Sequence, residues 1–243
     1  MNLMKRFYDK LNYFSNAEKI LWTVSVAIIT VAFVEFDRAN WLSYIASLIG
    51  VTSLLFAAKG NPFGMVLMIV FSSIYGYISY TFAYYGELIT YVGMTLPMSV
   101  WSLIQWLRHP YEGQRSQVTV NAKLSKRDWL LMAVLTAGVT VAFYFILSAL
   151  GTANILPSTL SVATSFAAVY LTGRRSPYYA VAYALNDIVL IVLWVLASIE
   201  DSGYIGVAIC FCAFLVNDIY GFINWKRMEK AQDKADMMET AQE

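Results

Sequence analysis

Eight stretches with apolar side chains on every side follow one another along this chain, each close to the ~20 residues an α-helix needs to cross a hydrocarbon layer. They run Ile20–Val34, Trp41–Ala58, Phe63–Tyr84, Leu88–Leu107, Asp128–Leu150, Ile155–Thr172, Tyr178–Ala197 and Ile205–Trp225. A soluble core would need a polar stripe along each helix, and none recurs at helical spacing. Strands of a membrane barrel would be half as long and would alternate in polarity. With 59% hydrophobic and 14% charged residues, the composition is also far from that of a soluble domain. The expected fold is an all-α integral membrane protein of eight transmembrane helices set in a lipid bilayer.

The connections test that count, because Lys and Arg concentrate on the cytoplasmic side of a membrane. With eight spans, all but one of the 17 basic residues fall on one face: the N-terminus, Lys59, the connection from Arg108 to Arg127, Arg174 with Arg175, and the tail from Lys226. Only Arg38 lies opposite, among the acids Glu35, Asp37, Glu87, Glu200 and Asp201. Both termini are therefore expected in the cytoplasm. Membrane topology accounts for the basic loops without any nucleic acid. A charged segment precedes the first span and no small-residue cleavage pattern follows it, so a removable leader is not expected. Cys210 and Cys212 sit mid-span as small apolar filler, and neither a disulfide, a metal site nor a cofactor is expected.

The second to fourth spans repeat as the sixth to eighth. Asn61-Pro62-Phe63 opens the third and Ser176-Pro177-Tyr178 the seventh, with proline at the tolerated first-turn position. At the far end "MSVWSLIQW" (Met98–Trp106) aligns with "NDIYGFINW" (Asn217–Trp225). An even number of spans separates the copies, so both enter the membrane from the same side and the fifth span restores direction. The expected units are residues 1–40 (N-terminal cytoplasmic segment and an extra span), 41–107 (first three-helix bundle), 108–154 (cytoplasmic loop and linker helix), 155–225 (second three-helix bundle) and 226–243 (cytoplasmic tail), one plus three plus one plus three.

The tandem bundles, the "NxxYxxxxW" pattern of Asn217, Tyr220 and Trp225, and the "WSLIQW" run resemble the PnuC family of bacterial nicotinamide riboside transporters. That family shares its general design with the SWEET sugar transporters. The resemblance runs from about the second span to the eighth. It implies a multi-pass protein of the bacterial cytoplasmic (inner) membrane that carries nicotinamide riboside by facilitated diffusion. It further implies that a cytosolic nicotinamide riboside kinase traps the substrate as its phosphate. The first span is a candidate interface helix of a homo-oligomer, conceivably a trimer.

Polar side chains deep in a membrane usually face a bundle interior or a watery cavity. At ~1.5 Å per residue, Asn186 and Asp187 fall at mid-depth, with Asn217, Asp218, Trp101 and Tyr220 within about a turn of that level. Helical angles put Asn217, Tyr220 and Asn224 on one face of the eighth span, and Met98, Trp101 and Gln105 on one face of the fourth. Tyr183, Asp187 and Trp194 form a stripe on the seventh. The expected substrate site is Trp101, Gln105, Asn186, Asp187, Trp194, Asn217, Tyr220 and Asn224, with Ser72, Tyr75, Met98, Tyr183 and Asp218 in second rank. Aromatic faces hold flat or cationic ligands, and amides both donate and accept. In this reading Trp101 and Tyr220, or Trp194, sandwich a pyridinium ring, Asn186, Asn217 and Gln105 read a carboxamide and ribose, and Asp187 balances the charge. These side-chain types also suit other nucleosides or sugars, carried with a proton on Asp187 or Asp218. Trp106 and Trp225, beside basic residues at the boundary, read as aromatic-belt anchors.

An intramembrane enzyme is the rival from another class, but His109 is the only histidine and sits at the boundary. No buried Ser–His pair can be assembled from it. A nucleotide-binding glycine loop is absent as well. A purely structural subunit would leave the coplanar amides and rings unused.

Overall fold

The computed structural model describes residues 13–81, 85–152, 154–200 and 202–240. Lys5, Arg6, Lys10, Asp201 and the expected end of the third span beyond Thr81 lie outside them. Eight long apolar helices cross the described chain, as the sequence predicts. They are α1 (Asn16–Phe36), α2 (Trp41–Ala58), α3 (Phe63–Thr81), α4 (Gly86–Arg108), α5 (Lys126–Ala149), α6 (Ile155–Gly173), α7 (Tyr179–Ser198) and α8 (Ile205–Thr240). Local chemistry sets their starts. Ser15 with Glu18 and Ser125 with Asp128 form reciprocal capping boxes ahead of α1 and α5. Asn40 caps α2 through the Ser43 amide.

Six helices close into a ring in which each packs on the next, in the order α2, α3, α4, α6, α7, α8 and back to α2. Outside it, α1 lies over the seam between α8 and α2, and α5 lies on α6. The ends of α2 and α6 have the same local geometry. Gly60 and Arg175 both have positive φ (65° and 59°) just after α2 and α6. Each follows a Schellman ending: Asn61 N–H to Phe56 O and Gly60 N–H to Ala57 O in one copy, Ser176 N–H to Leu171 O and Arg175 N–H to Thr172 O in the other.

The end of the ring at which α2, α4 and α6 finish is solid. Trp106 and Trp225 are fully buried there with ring centroids 5.4 Å apart. Each indole N–H crosses to the other bundle: Trp106 donates to Thr172 O and Trp225 to Ala57 O, both at 2.8 Å. These acceptors are equivalent positions of the two repeats. The aromatic-belt reading of both tryptophans is thereby corrected, because a buried indole needs an acceptor and the helix-end carbonyls of α6 and α2 supply it.

Two connecting segments are more ordered than the sequence suggests. The α4–α5 connection forms a hairpin, β1 (Pro110–Tyr111) and β2 (Gln114–Val118), turned by Glu112 and Gly113 at positive φ. Beyond it, Val118 N–H donates to Gly60 O and Asn121 N–H to Arg175 O, so the connection is tied to equivalent carbonyls of both bundles. The eighth helix continues past Trp225 to Thr240 through good helix formers. Its buried Gln232 accepts from Val120 N–H and donates to Val118 O, clasping the same connection.

Candidate functional site

A cavity of about 500 Å³ occupies the ring, within the range of small-molecule sites. It runs from mid-depth, at Tyr183, Asn186, Asp187 and Asp218, to the connections at the other end of the ring, at Glu87, Thr152, Asn154, Glu200 and Tyr204. The cluster around Trp106 and Trp225 packs against Tyr183 at the floor of the cavity.

The seventh helix supplies the largest share of its chemistry. Asp187 and Asp218 are 3% and 4% exposed, and their carboxyl groups lie against one another. No donor reaches Asp187 Oδ2, and no acceptor reaches the buried Trp194 Nε1. Asn186 Oδ1 accepts from Thr164 Oγ1 at 2.8 Å and Ser165 Oγ at 3.0 Å. Its NH₂ is therefore the group left to meet a solute. The Trp194 ring packs on Tyr204 at 5.4 Å, and both border the cavity. No Lys, Arg or His lines it, and the ion pairs of the described residues (Glu18–Lys59, Asp128–Arg174, Lys226–Glu229) all lie elsewhere.

Of the residues expected from the sequence, Asn186, Asp187, Trp194, Tyr183 and Asp218 meet at this cavity. The others do not line it. Asn217 donates to Ser25 Oγ of α1 at 2.9 Å, Tyr220 donates to Glu18 Oε1 of α1 at 2.9 Å, and Asn224 donates to Ala58 O at the end of α2 at 2.8 Å. The eighth helix has two polar faces, and α1 with α2 covers the one that carries these three. Asp218, about 100° further round, turns inward with Phe211 and Phe214.

The fourth helix departs from expectation for a different reason. Ile89–Thr95 is π-helical, with Leu96 N–H bonded to Tyr91 O and Thr95 Oγ1 to Thr90 O. Pro97, which has no N–H to donate, stands just beyond. The wider turns rotate the downstream faces relative to an α-helix. Thr90, Tyr91 and Thr95 come to line the cavity, while Met98 packs on the Met94, Leu147, Val162 and Phe166 cluster. Trp101 lies on Gly173 and against Tyr170, and Gln105 is likewise off the cavity wall. Ser72 bonds its own helix at Met68 O, and Tyr75 stands behind the wall, packed on Phe71 and Tyr91. Sequence reasoning passed over Glu87, Thr90, Tyr91, Ser161, Ser165, Glu200 and Tyr204 as cavity groups. An acid in the first turn of a span was the signal available for Glu87.

Residues 40–227 match the family model described as nicotinamide mononucleotide transporter. The chain is similar to the nicotinamide riboside transporter PnuC of Neisseria mucosa, with 27% identity over 216 residues that make up 88% of this chain and 82% of the relative. It is also similar to the nicotinamide riboside transporter PnuC of Haemophilus influenzae, with 22% identity over 79% of this chain and 81% of that one. Among solved structures, the crystal structure of the vitamin B3 transporter PnuC superposes with a TM-score of 0.76 at 26% identity, covering 90% of this chain and 94% of the other. With eight membrane-spanning helices around a central cavity and a family match across the whole ring, the chain is a multi-pass membrane protein that belongs to the PnuC family of transporters.

Proposed function

We propose that this protein carries nicotinamide riboside across a bacterial cytoplasmic membrane by facilitated diffusion, with both termini in the cytoplasm. The observation that carries the reading is the charge of the cavity: four carboxyl side chains, Glu87, Asp187, Glu200 and Asp218, and no cationic one. Nicotinamide riboside is a flat pyridinium cation with a carboxamide and a ribose. Its ring is suited to the Trp194 and Tyr204 faces, its amide and hydroxyls to the Asn186 NH₂ and the unpartnered Trp194 N–H, and its charge to Asp187. The relatives bear the riboside's name and the family model the mononucleotide's. A phosphate would enter this cavity with like charges around it and no Arg or Lys to pair with. That favours the riboside. The same repulsion rejects the product of a cytosolic riboside kinase, so phosphorylation inside the cell would prevent return.

Asp187 and Asp218, held side by side in mid-membrane, support a second reading in which a proton travels with a nucleoside. Uptake of labelled nicotinamide riboside into proteoliposomes, with and without an imposed proton gradient, separates the two. Equilibration that ignores the gradient is expected. Accumulation driven by it would replace facilitated diffusion with proton coupling.

A further inference from the structure

The first bundle contributes a single carboxylate to the cavity. We propose that this residue, Glu87, is the group by which the cavity tells a cationic solute from an uncharged one of the same shape; the inference rests on the function proposed above. The other three acids come from α7, α8 and the connection between them. Glu87 stands apart from them, in the first turn of α4, on the wall that also carries Thr90 and Tyr91. Gly86 lies beside it: a Cβ on that residue would come within 2.8 Å of Leu147 Cδ2 and would push the tip of that leucine aside.

The other recognition groups read little of the charge. Aromatic faces stack neutral rings as well as cationic ones. The Asn186 amide bonds a carboxamide or hydroxyl whatever charge the ring carries. Asp187 and Asp218 lie against each other, so each works in the field of the other. Glu200 is exposed, where salt and water screen it. Glu87 is half-buried between apolar walls and without a cationic partner among the described residues. There a charge acts about fourfold more strongly than in water. At the floor of the same cavity the 3%-exposed Asp187 leaves Oδ2 without a donor, a place for an N–H or O–H group of the solute whatever the charge on its ring.

The test uses two ribosides of nearly the same size: nicotinamide riboside and its 1,4-dihydro form, which has an added hydride at ring C4 and no charge. Uptake of each is measured with the full-length protein, Glu87→Gln and Glu87→Asp in proteoliposomes. Melting in detergent verifies that each variant is folded. The expected result for Glu87→Gln is a KM for the cation raised roughly tenfold, as loss of one weakly screened charge implies, with the KM for the neutral riboside within about twofold. Glu87→Asp should keep most of the discrimination. Equal loss on both substrates, or no change on either, overturns the role of Glu87 and leaves the transport reading intact. If Glu87→Gln is unfolded, the decision falls to Glu87→Asp: preserved preference for the cation supports the role, and preference lost with folding intact overturns it. Unaltered protein that moves neither riboside overturns both.

Discussion

A methyl group placed on Gly173 would lie 1.7 Å from a ring carbon of Trp101, with two more ring atoms inside 2.6 Å. An indole cannot yield that distance by a small rotation, so this residue fixes how near α4 comes to α6. Gly173→Ala should push the ring out and destabilise the α4–α6 seam by about 1–3 kcal/mol, the usual range for overpacking. A lower melting temperature in detergent, and recovery in the double variant Gly173→Ala with Trp101→Leu, would be the signature. A fall without recovery would place the strain elsewhere. The equivalent position of the other repeat is Ala58, whose carbonyl takes the Asn224 amide. Small residues at matching positions thus admit different partners, a ring in one copy and an amide in the other.

At the scale of elements, the two indole N–H groups that cross between bundles form the principal tie at the solid end. Replacing either Trp106 or Trp225 with Phe keeps most of the packing and removes one of the two hydrogen bonds that Thr172 O or Ala57 O accepts, at a cost of about 0.5–1.5 kcal/mol. The two rings touch, so the double variant should differ from the sum of the singles, as neighbours in contact do. Melting temperatures of the four proteins give that cycle; strict additivity would mean the rings act separately. Much of this level was legible in the sequence. The spans are long enough to announce themselves, and Pro62 and Pro177 each follow a helix that ends in a Schellman turn. Which neighbour a polar face meets was not legible, because periodicity fixes an angle on one helix and says nothing of what packs there. Asn217 and Tyr220 were read toward the axis, yet they hold α1 through Ser25 and Glu18. The π-helical stretch of α4 was equally hidden: Pro97 signals an interruption, and the direction in which the turn widens depends on packing. A belt tryptophan and a buried one also look alike in sequence, since both sit at a span end beside basic residues.

For the whole molecule, the decisive feature is a chamber walled by both bundles that holds acids and rings and no fixed cation. If, as proposed above, the solute is a permanent cation, it finds no Lys or Arg there to hold an accompanying anion and would cross alone. Each crossing is then a unit of electric current. An inside-negative voltage does work on that charge of about 2.3 kcal/mol per 100 mV, which corresponds to roughly 50-fold accumulation with no second ion involved. Proteoliposomes given a potassium diffusion potential should accumulate nicotinamide riboside about tenfold for each 60 mV and its uncharged dihydro form only to equal concentrations; equal loading of the two would show that a compensating ion moves. A passive carrier of this design would let the cell's own polarisation concentrate a scarce vitamin.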